Sequence, residues 1–197
     1  MNLPNKLTIF RIILVPIMVI VPFLGIQGTV FNITVTNLII IAIFAIASYT
    51  DHLDGAIARE NNIVTTFGKF ADPLADKILV LSAMLMLVEM QKLPAWIPII
   101  VLAREFMVSG YRLIAVEKGG KVIAASIWGK IKTVTQMIAI ILAFLDVNAF
   151  GAFINNHLTG YNLIINILST SLMFISTVAA IFSGIDYLKG GKDLFKN

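Results

Sequence analysis

Long apolar runs recur along this chain, at lengths that suit a bilayer better than a soluble core. A helix rises about 1.5 Å per residue, so about 20 apolar residues cross the hydrocarbon layer. Six segments meet that length: Lys6 to Gly25, Val35 to Ala58, Phe70 to Met90, Pro94 to Ala115, Ile127 to Leu145 and Tyr161 to Leu188. Of the 197 residues, 58% are hydrophobic and only 13% charged, about half the charged share of a soluble domain. The expected fold is an all-α membrane protein, a bundle of six transmembrane helices forming one domain over residues 1–197. The basic start ahead of an apolar run suggests a secretory signal, but no small-x-small cleavage site follows, so the run is read as a span. Cysteine is absent, which excludes disulfides and thiolate metal sites.

Charge placement orients the bundle. With six spans, one side receives the N-terminus, the 59–69 and 117–130 connections and the C-terminal tail. These segments and the span ends beside them carry every Lys and Arg except Lys92 and the deep Arg104. The opposite loops, around 26–34 and 146–160, carry none. The positive-inside rule then puts both termini in the cytoplasm. The net charge of +4 suits anionic lipid headgroups better than nucleic acid, and Lys189, Lys192 and Lys196 are read as headgroup anchors.

Between the second and third runs lies an acidic stretch, Asp51-His52-Leu53-Asp54-Gly55-Ala56-Ile57-Ala58-Arg59, followed after eight residues by Gly68-Lys69-Phe70-Ala71-Asp72-Pro73-Leu74-Ala75-Asp76. At 100° per residue, Asp54 and Ala58 fall within about 60° and 20° of Asp51, with Gly55 about 40° to the other side. One helix face thus pairs two carboxylates with small residues. Asp72 and Asp76 stack at i, i+4 on the next helix. Pro73 lacks an N–H and suits a first helical turn, which sets Asp72 at or beside the helix start. The short connection brings both pairs to one end of the bundle, so four carboxylates face a common space. Like charges at short range raise one another's pKa, which calls for protonation or cations. Oxygen-only ligands favour Mg²⁺ or Mn²⁺, and two facing pairs suit a two-ion site for phosphoryl transfer. Gly55, Ala58 and Gly68 leave room for a bulky ligand, and Arg59 can pair with phosphate.

Other polar positions are less specific. Asn5, Thr8 and Arg11 share a face of the first helix, as a cap with a snorkelling arginine or as a binding group. Arg104 lies deep in the fourth run and needs an anionic partner, with Glu105 pointing elsewhere on the helix. Were the phosphoryl group passed to an acceptor that itself carries phosphate, the expected cations for it would be Arg112 and Lys130, then Arg104 and Lys132. Lys130 shares a face with Thr133, and Lys132 with Gln136. Asn32-Ile33-Thr34 is read as a chance sequon, Gly119-Gly120-Lys121 and Gly190-Gly191-Lys192 as helix ends. His52 and His157 lack metal-ligand spacing.

The residues Asp51-x2-Asp54-Gly55-x2-Ala58-Arg59-x8-Gly68-x3-Asp72-x3-Asp76 match without gap or substitution the signature of the CDP-alcohol phosphatidyltransferases, and the chain resembles that family. The likeness extends to Leu3-Pro4-Asn5-Lys6-Leu7-Thr8 with Arg11, to Thr65-Thr66-Phe67-Gly68-Lys69-Phe70, to Arg104-Glu105-Phe106 and to Gly129-Lys130-Ile131-Lys132-Thr133 with Gln136. In these stretches it is similar to bacterial members that use glycerol 3-phosphate as acceptor. The resemblance implies that Asp51, Asp54, Asp72 and Asp76 ligate two divalent ions, with Asp76 also the general base. It implies CDP contacts from Asp51, Gly55, Ala58, Arg59, Gly68 and Asp72, with Asn5 and Thr8 closing over the nucleotide. It further implies a six-helix bundle, a homodimer, a polar cavity at the cytoplasmic leaflet of a bacterial cell membrane, and transfer of a phosphatidyl group from CDP-diacylglycerol with release of CMP.

Residue chemistry by itself leaves the acceptor open among glycerol 3-phosphate, serine and inositol phosphate. A cation or proton transporter is disfavoured because the acids sit at one interface and no inverted repeat is visible. A lipid-binding scaffold does not need the rigid spacing.

Overall fold

The computed structural model describes the backbone of residues 3–60, 66–117 and 126–190, and the side chains in those ranges except at 3–4, 51–60, 66–67, 69–70, 116–117 and 190. Helix α1 (Leu3–Ile20) passes into a 3-10 turn (Val21–Leu24) that stops at Gly25, in the left-handed region at φ 62°. A small antiparallel hairpin follows, β1 (Thr29–Val30) with β2 (Ile33–Thr34). The helices α2 (Val35–Glu60), α3 (Thr66–Glu89), α4 (Trp96–Glu117) and α5 (Ile127–Leu145) come next, then a single turn α6 (Ala152–Asn155) and the long α7 (Gly160–Gly190).

The predominantly helical fold agrees with the sequence pattern, and each apolar run lies on a long helix. Three described segments are long and apolar enough to cross a membrane: Asn5–Leu24, Ile127–Leu145 and Gly160–Lys189. The described apolar part of α2 is Val35–Thr50, and the acidic motif follows it on the same helix. Likewise α3 opens on Lys69, Asp72, Asp76 and Lys77, and α4 carries Arg104, Glu105 and Arg112. Outward faces are apolar, with Ile13 and Ile17 of α1 and Ile164 and Phe174 of α7 exposed, as suits a surface covered by lipid tails.

Helix α5 packs most extensively on α7, while α1 packs on both α2 and α3. Met18, Phe44, Leu79, Leu87, Ile140 and Phe144 fill the core. In lipid, helices gain from close packing rather than from escaping water, so buried Ala47, Ala83, Ala139 and Ala180 matter as much, letting backbones approach. Helix α5 starts at Ser126, whose side chain accepts from the Gly129 N–H at 3.3 Å, a cap satisfying one of the first-turn donors.

Three local expectations are corrected. Helix α3 begins at Thr66, so Pro73 stands inside it and Asp72 is not at its start. Proline removes one helix hydrogen bond, a loss that neighbouring helices can offset in a membrane bundle. The loop around 26–34 folds as a hairpin, with Phe31 and Asn32 at φ 51° and 66°, as a two-residue turn with both central residues left-handed requires. The stretch around 146–160 contains α6.

At the hairpin end, a buried polar network ties the loops. Asp146 is 2% exposed and accepts from Asn166 Nδ2 at 2.7 Å, Ser169 Oγ at 2.9 Å and the Asn148 backbone N–H at 2.9 Å. Lys92 donates to the Asp146 carbonyl, and the Lys92 carbonyl accepts from Phe150 N–H at 3.0 Å. Lys92, the cation that charge placement left on this side, is thus held by protein groups. Burial holds its ammonium below the usual lysine range, with Asp146 opposing that shift.

Candidate active site

The acidic motif lies where α2 ends and α3 begins, at the end of the bundle away from the hairpin. Asp51, Asp54, Gly55, Ala58 and Arg59 are on the helical backbone of α2, but their side chains lie outside the described residues. On α3, Gly68 is buried, and Asp72 and Asp76 are each partly buried. Four residues apart on a continuous helix, Asp72 and Asp76 share a face. Asp76 Oδ1 is buried.

Helix α1 closes one side of this face. Thr8 is fully buried and its hydroxyl donates to Asp72 Oδ1. That bond joins the first helix to the acidic pair across 64 residues of sequence and orients the carboxylate. Asn5 is partly buried one turn earlier. Arg11, fully buried one turn later, is packed inside protein, which corrects the snorkelling alternative.

The other side is built from α4, α5 and α7. Glu105 of α4 accepts on one oxygen, Oε1, from two cations: Arg104 Nη1 at 2.7 Å and Lys132 Nζ of α5 at 2.7 Å. The side chains of Arg104, Glu105 and Lys132 are only 12%, 18% and 8% exposed, so water screens these pairs poorly. Here the expectation that Glu105 points away from Arg104 is corrected. Adjacent helix positions diverge by about 100°, but the guanidinium is long enough to bend back. Gly129 makes the room, since a Cβ there would lie 3.2 Å from Arg104 Nη2. Ser183 Oγ of α7 accepts from Arg104 Nη2 at 2.7 Å and Nε at 3.3 Å, fixing the bent conformation.

Asp76, Lys77, Glu105 and Lys132 line one cavity of about 30 Å³, whose apolar wall includes Val80 and Val101. Thus the structure unites one sequence-predicted aspartate with one sequence-predicted acceptor cation. Lys77 also donates to Ser109 Oγ of α4. Buried Gln136, one turn from Lys132, lies 3.1 Å from Met84 Sδ. The remaining expected cations stand outside this cavity. Lys130 is exposed, and Arg112 is exposed with Nη2 donating to Tyr187 O–H at 2.7 Å and its guanidinium 5.6 Å from the Tyr187 ring centre. Lys77 and Ser183 escaped the sequence reading, and Glu105 entered it only as a neighbour of Arg104 expected to point elsewhere. A buried Arg beside a Glu was the one available signal, and only helix packing shows where each points. A larger hollow of about 600 Å³, lined by Gln27, Asn32, Asn37 and Lys92, opens at the hairpin end, remote from the motif.

Among the described residues, no three His, Cys, Asp or Glu side chains gather as a metal site. Two of the four expected ligands are described, and they fit a hard cation. Asp72 and Asp76 offer oxygen donors on one helix face, without the soft ligands that would select another metal.

Fold and site define a helical protein with helices apolar and long enough to cross a membrane, carrying acids on α2 and α3 at one end of the bundle and buried cations on α4 and α5. The chain belongs to the CDP-alcohol phosphatidyltransferase family, whose model matches residues 1–183. It is 47% identical over 146 residues to the CDP-diacylglycerol–glycerol-3-phosphate 3-phosphatidyltransferase of Bacillus subtilis, covering 71% of this chain and 74% of that one. The protein of that name from Haemophilus influenzae is 38% identical over 195 residues, covering 97% and 94%. The one from Rickettsia felis is 32% identical over 195 residues, covering 98% and 97%.

Proposed function

We propose that this chain transfers the phosphatidyl group of CDP-diacylglycerol to sn-glycerol 3-phosphate, giving phosphatidylglycerophosphate and CMP. The observation that carries the reading is the unbroken acidic motif on α2 and α3, in a chain similar along almost its whole length to relatives named for that reaction. The six long helices are six spans of one domain with both termini cytoplasmic, and the motif opens toward the inner leaflet of a bacterial cell membrane. The functional unit is a homodimer.

Asp51, Asp54, Asp72 and Asp76 hold two Mg²⁺ or Mn²⁺ ions, which when bound neutralise the pyrophosphate and the departing CMP. Asn5, Thr8, Gly55, Ala58, Arg59 and Gly68 hold the CDP moiety together with Asp51 and Asp72. Small residues let the liponucleotide lie against the helices, and the Thr8 hydroxyl fixes the Asp72 carboxylate. Asp76 takes the proton of the acceptor's 1-hydroxyl. The resulting oxygen attacks the β-phosphorus and the bond to CMP breaks. Lys132 and Arg104 attract the acceptor phosphate beside Asp76, with Arg112 and Lys130 nearer the entrance. Support for this division is the shared cavity of Asp76 and Lys132.

The test is CMP release by purified protein given CDP-diacylglycerol and Mg²⁺ or Mn²⁺, with glycerol 3-phosphate, serine or inositol 1-phosphate supplied in turn. Release with glycerol 3-phosphate alone is expected. Release with serine or inositol 1-phosphate in its place would reject the acceptor assignment, and no release with any would reject the reaction.

A further inference from the structure

Two cations from different helices, Arg104 of α4 and Lys132 of α5, converge at 2.7 Å each on a single oxygen of Glu105. That oxygen marks a point where the buried protein stabilises one anionic oxygen from two sides. Both cations are firmly built in. Arg104 is gripped by Ser183 and lodged against Gly129, and Lys132 is 6% exposed. Glu105 and Lys132 line the cavity that Asp76 also lines. At about 30 Å³ the cavity admits little more than a water molecule. A phosphate group entering beside Lys132 needs the volume and the charge partners that Glu105 now has.

We propose that Glu105 is a displaceable anion that occupies the acceptor-phosphate position until a phosphorylated acceptor replaces it on Arg104 and Lys132. The proposal rests on the function argued above and deepens it to acceptor selection. A carboxylate brings one negative charge to the two cations, whereas a phosphate monoester brings nearly two and three oxygens. A phosphorylated alcohol can therefore compete for the cations, and an alcohol lacking phosphate cannot. Glu105 acts through Lys132 and Arg104 and is a specificity-determining residue, not a catalytic one. Its occupancy also spares the resting protein two buried, uncompensated cations.

The test compares wild type with Glu105→Gln and Glu105→Asp. Inorganic phosphate is the probe in thermal unfolding, and glycerol 3-phosphate the variable substrate in CMP release. Glu105→Gln keeps the shape and removes the charge. Without ligand it should melt lower than wild type, and phosphate should raise its midpoint more than it raises that of wild type. If Glu105 fills the position nine-tenths of the time, its KM for glycerol 3-phosphate should fall about tenfold while KM for CDP-diacylglycerol stays put. Glu105→Asp retains the charge and should respond to phosphate like wild type. An equal phosphate response in Glu105→Gln and wild type, or a KM for glycerol 3-phosphate that rises or stays unchanged, would overturn the proposal. If Glu105→Gln does not fold, a Glu105→Asp protein with the enhanced phosphate response would overturn it, and a wild-type-like response would support it. Absence of CMP release from wild type would instead defeat the underlying function, whereas the phosphate shifts are read without turnover.

Discussion

Replacing Thr8 with valine tests how the first helix serves the acidic pair. Valine fills nearly the volume of threonine, so the fully buried site gains no cavity; what is lost is the hydroxyl donating to Asp72 Oδ1. A hydrogen bond to a charged group contributes about 1.5–3 kcal/mol, and removing an outer partner of a metal-binding carboxylate costs about 10–100-fold in affinity or activity. Thr8→Val should therefore lower kcat/KM by about 10–100-fold. The assay is CMP release across a range of Mg²⁺ or Mn²⁺ concentrations. If Thr8 orients Asp72 as a ligand, the half-saturating metal concentration rises, while KM for CDP-diacylglycerol at saturating metal moves little. If the hydroxyl instead serves the nucleotide directly, KM for CDP-diacylglycerol rises and the metal requirement stays. Activity and metal requirement both within about twofold of wild type would refute the reasoning, because a bond of that strength cannot vanish so quietly.

Asp76→Asn should lose more than the roughly 10²–10⁴-fold expected for removing a general base, because the same carboxylate is assigned to metal; near-normal CMP release would reject both roles. Asp146→Ala should destabilise the protein by about 1–3 kcal/mol by removing the buried carboxylate that accepts from Asn166 Nδ2, Ser169 Oγ and the Asn148 N–H, as read by reversible unfolding in detergent. CMP release per folded molecule should be unchanged, since this network lies at the other end of the bundle. The lowered pKa of Lys92 makes the unfolded chain bind more protons between that lowered value and 10.5, so stability should rise with pH across this window. Lys92→Met should flatten that rise, and an unchanged pH dependence of its melting midpoint relative to wild type would count against the burial argument.

Much of this protein is legible from one-dimensional pattern. Apolar runs determined six long helices because a run of about 20 residues has few other ways to satisfy its backbone in lipid. The motif announced itself because fixed spacings on a helix translate directly into shared faces, as for Asp72 and Asp76. Local rules failed where packing overrides them. Pro73 suggested a helix start, yet α3 begins seven residues earlier at Thr66. Turn residues Phe31 and Asn32 form a hairpin that hydropathy does not register.

Tertiary structure alone decided who pairs with whom. Thr8 meets Asp72, and Lys132 meets Glu105, across 64 and 27 residues of chain. Arg104 turns back to its own neighbour because Gly129 of another helix leaves space and Ser183 of a third holds it. Helix periodicity states the direction in which a side chain leaves the backbone. The end point of a long charged side chain depends on the gaps and partners that neighbouring helices supply, and those exist only once the bundle has closed.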